Sequence, residues 1–225
     1  MREGFCSTCL RTVYRASGDD DSCPVCSSPL VVSAQEVAVA ESALASPAGP
    51  VPENEALRMA AVGRYEILNT PADGAFDRIT SLAARIFDVP IATITIVDHD
   101  RIWFKSRHGI ETEEIGRDPG LCASAIIDYQ PWVVNDAATD PRTLENPLVR
   151  GELGLRFYAG VPLTTADSYN LGTLNIIDRS PRELSDDEVT TLEQLADIVV
   201  DELELRLAAL RLVREAKQKG VLLDG

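Results

Sequence analysis

The chain has 225 residues, and its 36 acidic against 21 basic side chains give a formal net charge of −15. That balance argues against a phosphate-binding surface, because affinity for nucleic acid comes largely from Lys and Arg displacing counterions. Hydrophobic residues at 45% suffice for a packed core, and the length suits one domain plus a small module.

Residues 1–32 hold four of the five cysteines as two close pairs, Cys6-Ser-Thr-Cys9 and Cys23-Pro-Val-Cys26. Two intervening residues let both thiolates of a pair turn toward one tetrahedral ion, so the segment is expected to bind a structural Zn2+ through Cys6, Cys9, Cys23 and Cys26. Four thiolates leave no open position for water or substrate. The opening residues lack the basic-then-apolar pattern of an export signal, so disulfides are the less favoured reading and a cytoplasmic location is expected. Leu10–Tyr14 is the expected outgoing strand of a short hairpin that returns past the acidic tip Asp19-Asp20-Asp21. The module resembles zinc ribbons, which implies docking to a protein or to nucleic acid. The acidic tip disfavours nucleic acid, although Arg2, Arg11 and Arg15 leave that contact open.

Residues 33–52 turn to Ala, Ser, Val and Pro and read as a linker, with Ala34–Ala45 as a short helix within it. From Asn54, a plausible N-cap, Leu57, Ala61, Tyr65 and Leu68 share a helical face that Thr70-Pro71 ends. A second helix follows Asp73, with Phe76, Ile79, Ala83 and Ile86 on one stripe, and stops before Pro90. The β-branched run Ile91–Val97 reads as a buried strand, Asp98–Arg101 as a turn, and Ile102–Arg107 as the returning strand. Asp118-Pro119 has the order of a cap residue followed by Pro at the first helical position, so a helix carrying Cys122 and Ile126 is expected there. Trp132–Val134, Phe157–Leu163 and Leu171–Ile177 read as further strands, with Pro162 at an edge or bulge. The last helix starts at a capping box, Ser185 with Glu188, and should run to about Lys217. Its apolar positions from Val189 through Leu192, Leu195, Val199, Leu203, Leu207 and Leu210 to Val213 step by three or four and call for a partner along the helix. No run of about 18 apolar residues suggests a membrane partner.

Several motifs between residues 53 and 212 act together: Arg64-Tyr-Glu-Ile-Leu-Asn-Thr-Pro71, Ile96-Val-Asp-His-Asp-Arg-Ile-Trp-Phe-Lys-Ser106, Leu121-Cys-Ala-Ser-Ala-Ile126, Arg156-Phe-Tyr-Ala-Gly-Val-Pro-Leu163 and Leu171-Gly-Thr-Leu-Asn-Ile-Ile-Asp178. In these the segment resembles the GAF domain family. The resemblance implies an α+β, PAS-like fold: an antiparallel sheet of five or six strands with helices on both faces, preceded here by the zinc-ribbon module. It implies a dimer through the first and last helices, with 213–225 as a tail. It also implies a ligand pocket on the other sheet face, near Trp103, Cys122, Ser124, Arg156, Phe157, Tyr158 and Asn175. The family pattern usually carries His at the Ser124 position and a second Cys at the Asn175 position, so chemistry that needs those groups is not expected.

Cys122 sits among Ala123, Ala125 and Ile126 and reads as a small buried hydrophobe, with a reactive thiol in the first turn of a capped helix as the alternative. His99 and His108 show no spaced partner for a triad or metal site, and turn hydrogen bonding accounts for Asp98 and Asp100. The expected function is therefore a non-catalytic sensory or regulatory protein that binds a small ligand or serves as a dimeric scaffold, its zinc ribbon docking a partner. A Cys122-based redox or thiol enzyme and a zinc-ribbon transcription-associated factor are the alternatives.

Overall fold

The computed structural model describes residues 2–6, 11–15 and 50–218, and the chain divides into two compact units, residues 1–48 and 49–225. In the first unit β1 (Arg2–Cys6) pairs antiparallel with β2 (Arg11–Arg15), Cys6 opposite Arg11. The expected partner of Leu10–Tyr14 was a strand beyond the acidic tip. The preceding segment pairs instead, and closing so short a connection costs less chain entropy than closing a longer one. The expected zinc site, with Cys9, Cys23, Cys26 and the Cys6 side chain, lies outside the described residues. So do the helix expected over Ala34–Ala45 and residues 219–225.

In the second unit the sequence alternates helices and strands. They are α1 (Glu55–Tyr65), α2 (Gly74–Ile86), β3 (Ile91–Val97), β4 (Arg101–His108), β5 (Glu114–Gly116), α3 (Cys122–Ala125), β6 (Trp132–Val134), α4 (Pro147–Arg150), β7 (Phe157–Thr164), β8 (Asn170–Asp178) and α5 (Asp186–Gln218). The strands form one antiparallel sheet in the order β5-β4-β3-β8-β7-β6. This is the six-stranded α+β architecture that the sequence implied. Register follows the side-chain alternation: Trp103 stands opposite Ile96 and Phe104 opposite Thr95, so neighbouring residues serve opposite faces. One face carries Ala92, Ile94, Ile96, Trp103, Phe157, Ala159 and Ile176 beneath α1, α2 and α5. The other carries Ile102, Phe104 and Tyr158 beneath α3 and the loops.

Helix α1 departs from its expected face. Arg58, Ala61, Val62 and Tyr65 are buried while Leu57 is 59% exposed. Arg58 takes the inward place because the interior offers its guanidinium a carboxylate and backbone carbonyls, described below. The helix also ends at Tyr65 instead of running toward Thr70. Tyr65 and Ile67 are both buried, and residues two apart on a helix point to nearly opposite sides. Glu66 resolves the conflict by turning left-handed at φ 47°. In α2, which follows Asp73 as expected, the Asp73 carboxylate caps the helix by accepting from the Ala75 N–H at 3.1 Å, but Ile86 is 49% exposed and Thr80 and Ala84 join the buried stripe.

The helix expected to start at Asp118-Pro119 starts later and is shorter. Those residues form a turn with a cis Asp118–Pro119 peptide, closed by the Gly120 N–H donating to the Arg117 carbonyl, and α3 holds only Cys122–Ala125. Cys122 therefore lacks the capped helix that would favour a thiolate. A short helix that the sequence analysis did not anticipate, α4, precedes β7, and the Asn146 carboxamide oxygen caps it by accepting from the Leu148 N–H. Pro162 lies beside a register shift between Pro162 and Thr164, at the bulge its missing donor required.

Helix α5 begins as its capping box dictates: the Glu188 carboxylate accepts from the Ser185 N–H at 2.8 Å, and the Ser185 hydroxyl accepts from the Glu188 N–H at 3.3 Å. Replacing Ser185 with Ala is expected to lower unfolding free energy by about 1 kcal/mol in a urea titration. The stripe that called for a partner finds one inside the domain as far as Leu207, whereas Val213 is 47% exposed. A different stripe faces outward on α5, Ile198, Leu205 and Leu212 at 51%, 66% and 66% exposure. No helix among the described residues is long and apolar enough to cross a membrane.

Candidate functional site

A cavity of about 210 Å³ opens on the sheet face opposite the long helices. Its floor is the sheet, through Thr93 of β3, Phe104 of β4, Tyr158 of β7 and Ile177 of β8. Its cover is the segment after β4, through Ile110, Thr112, Ile115, Leu121 and Cys122, and its rim is Leu148 of α4 with Leu153 and Leu155. The walls are mainly aliphatic, and no Lys or Arg lines them.

The polar groups converge at one place. Tyr158 Oη donates to Asn175 Oδ1 at 2.7 Å, and the Cys122 thiol reaches the same oxygen at 3.8 Å. Asn175 in turn donates through Nδ2 to the Thr93 hydroxyl at 2.9 Å, which orients the amide. All three of Cys122, Tyr158 and Asn175 are buried. Burial first, and then Cys122, push the Tyr158 phenol well above its ordinary pKa, so it stays a neutral donor. Gly160 makes this convergence possible. A Cβ there would stand 2.4 Å from Tyr158 Oη and 2.9 Å from Asn175 Oδ1.

The structure thus brings three of the expected pocket residues together and separates four others. Trp103 and Phe157 face the helices on the opposite side of the sheet, Phe157 because it precedes Tyr158 in one strand and must point the other way. Ser124 is half-buried on α3 outside the lining. Arg156 is engaged elsewhere, its Nε and Nη2 donating to the two carboxylate oxygens of Asp136 at 2.7 and 2.8 Å. Arg156 hydrogen bonding, first among the causes, lowers the Asp136 pKa. Sequence reading missed Thr93 and the cover residues Ile110, Ile115 and Leu121. Two-residue alternation from Tyr158 and Asn175 across the strand register would have found Thr93, whose backbone stands opposite Asn175.

No group of three or more His, Cys, Asp or Glu side chains suited to a metal ion occurs among the described residues. His99 lies in the β3–β4 turn, where the Asp98 carboxylate accepts from the His99 N–H at 2.8 Å and from Arg101 Nε at 3.1 Å, the turn role expected for that aspartate.

Comparison with known proteins places these features. A cyclic di-GMP phosphodiesterase of Pseudomonas aeruginosa is 43% identical over 152 residues, 67% of this chain and 26% of that protein, so the chain spans about a quarter of its relative's length. The expectation of a non-catalytic protein is corrected by this finding, since a relative this similar is named for an enzymatic activity. Two solved structures share the fold. The GAF domain of an Acinetobacter phosphoenolpyruvate-protein phosphotransferase matches with a TM-score of 0.52 at 16% identity, over 70% of this chain and 97% of that one. The blue-light absorbing form of the PixJ GAF-domain of Thermosynechococcus elongatus matches with a TM-score of 0.50 at 14% identity, over 67% and 94%. The GAF domain family model covers residues 71–203, the greater part of the chain, and the chain belongs to that family.

Proposed function

We propose that residues 50–218 are a sensory and regulatory domain that holds a small, largely apolar molecule in the cavity between the sheet and α3. The observation that carries this reading is an apolar cavity with one polar corner, where Cys122 and Tyr158 line the wall and Asn175 bonds both from behind it, the combination that fixes and orients a compact ligand. At 210 Å³ it lies below the roughly 300–1,000 Å³ typical of sites for drug-sized ligands, so the ligand is small. Native mass spectrometry of the purified full chain tests the reading. Extra mass on the wild type that is lost in Leu153→Trp, which sets an indole in the rim, is the expected result. The absence of ligand mass on both proteins, with no small molecule protecting the cover from hydrogen exchange, would leave a scaffold with a closed cavity.

The same spectrum reads two associated proposals. The four cysteines of residues 1–32 hold one structural Zn2+, a reading supported by their paired spacing, and Cys23→Ser is expected to release it. A second copy of the chain packs on the outward face of α5. Ile198, Leu205 and Leu212 recur there every seven residues, the period of a two-helix seam. A dimer at micromolar concentration that Leu205→Glu converts to monomer is expected, and a wild-type monomer would exclude the seam. The zinc module is proposed to dock a protein partner.

A second reading takes its support from the relative named as a cyclic di-GMP phosphodiesterase: the chain acts on cyclic di-GMP turnover, directly or as part of a larger assembly. Two phosphates meet no lysine or arginine in the cavity lining, so this substrate does not belong in the cavity. Chromatography of cyclic di-GMP after incubation with the chain tests direct hydrolysis. Linear product would establish it, and its absence would leave the regulatory reading.

A further inference from the structure

Arg58 and Arg117 are 1% and 0% exposed and share a single carboxylate, Glu55 in the first turn of α1. Arg58 Nε and Nη2 donate to Glu55 Oε2 and Oε1 at 2.7 and 2.8 Å, and Arg117 Nη1 donates to Oε1 at 2.5 Å. Their remaining hydrogen bonds go to backbone carbonyls, apart from one from Arg58 Nη2 to Met59 Sδ. Arg58 Nη1 reaches Val97 O at 2.8 Å and Asn170 O at 3.3 Å, while Arg117 reaches Asp98 O at 3.1 Å and, through Nη2, Pro50 O at 3.2 Å.

These bonds close a circuit around the cavity cover. Arg117 belongs to the same segment as Ile115 and Leu121, which line the cavity, yet its side chain reaches away from the cavity to α1 and Pro50. On the far side of α3, Asn170 Nδ2 donates to Ile126 O at 3.0 Å and Asp128 O at 2.9 Å, and the Asn170 carbonyl accepts from Arg58. Both ends of the cover are therefore tied to Glu55, one through Arg117 and the other through Asn170 and Arg58. Two guanidinium groups without water depend on that carboxylate, because a buried cation left unpaired is strongly destabilising.

We propose that Glu55 is the latch of the cavity cover, so that movement of the Ile110–Cys122 segment and the position of the Pro50–Arg58 segment are coupled through Arg117. The ligand half of this inference rests on the reading of the cavity given above; the latch does not. A ligand that needs the cover displaced shifts the balance between latched and unlatched arrangements, and by linkage a change at the start of α1 alters access to the cavity.

Cys122, buried at the end of the cover where it meets the sheet, reports the latch without any ligand. Iodoacetamide labelling of the full chain, read by mass spectrometry on the Cys122 peptide, is expected to run at least tenfold faster in Glu55→Gln than in the wild type. Val199→Ala, a cavity variant in the α5 core, gives the rate expected from lowered stability alone. Labelling of Glu55→Gln no faster than this control, at matched stability, overturns the latch. Arg117→Lys, which keeps the charge but loses the fork to Pro50 and Asp98, should fall between them and serves if Glu55→Gln does not fold. Hydrogen exchange with indole as probe separates the two claims. Protection of residues 110–122 accompanied by altered exchange at 50–58, lost in Glu55→Gln, supports the coupling. Protection of 110–122 alone overturns the coupling and keeps the cavity reading. Protection of neither overturns the cavity reading for such ligands, and the labelling rates then decide the latch.

Discussion

Gly172→Ala is expected to cost roughly 4 kcal/mol or more, the range reached only when a core must be forced apart. Gly172 lies in β8, paired with Ile96 of β3, the central contact of the sheet. A Cβ at this position would stand 1.8 Å from the Thr95 carbonyl oxygen, 2.7 Å from its carbon and 2.8 Å from the Ile96 Cα. All three are backbone atoms, so no rotamer relieves the contact and the two strands must separate. Separation breaks ladder hydrogen bonds and lifts Ile94, Ile96 and Leu174 from the core beneath the helices. Gly160→Ala makes the instructive comparison. Its nearest contacts are the ends of the Tyr158 and Asn175 side chains, which can swing away. About 1–3 kcal/mol is expected there, the cost of leaving buried polar groups unpaired. Urea midpoints of the two variants should rank in that order, and a Gly172→Ala protein as stable as Gly160→Ala would show that the sheet can open at β8 cheaply.

The same alternation that makes Gly172 critical explains what the sequence revealed and what it hid. Strand β3 was legible to the residue because Ile91–Val97 is a β-branched run bounded by Pro90 and Asp98. Every one of its residues is buried, so hydrophobicity carries no sign of which face is which, and the same holds for most of β7 and β8. Nothing in the pattern therefore corrected the resemblance, which put Trp103 and Phe157 near the cavity when they belong to the opposite core. The α5 start was readable from Ser185 and Glu188 because a cap is a local interaction between neighbours in the chain. The Glu55 cluster was not, since its partners lie 62 residues apart in Glu55 and Arg117 and 112 apart in Arg58 and Asn170. One signal was present: Arg58 occupies an i, i+3, i+4, i+7 stripe with Ala61, Val62 and Tyr65, an inward place that a surface arginine would avoid. The cover of the cavity was hidden for another reason. Its course is set by the turn at Arg117–Gly120 and by where the Arg117 side chain finds partners, neither of which has a local sequence pattern.

Acid titration of stability should bring out Glu55 directly. Burial alone would raise its pKa, but the hydrogen bonds and charges of Arg58 and Arg117 outweigh burial and hold it at about 2, against an ordinary 4.5. A carboxylate whose pKa is lowered on folding contributes stability that is complete above its unfolded value and is lost as pH falls through its folded one. The Glu55 contribution is therefore expected to be full at neutral pH and to disappear between about pH 4.5 and pH 2. Glu55→Gln removes it at every pH and leaves two buried guanidinium groups with carbonyl oxygens alone. Breaking a buried ion pair by removing one partner costs about 3–5 kcal/mol, the loss expected for this variant at pH 7. Asp167, held at about 2 by Arg64, also titrates in acid, but it is present in both proteins and cancels in their difference. Denaturant unfolding at a series of pH values should thus give two curves far apart at pH 7 that converge toward pH 2. Curves that coincide at every pH would mean that the two arginines are stabilised by the surrounding carbonyls, and that Glu55 adds neither stability nor a hold on the cavity cover.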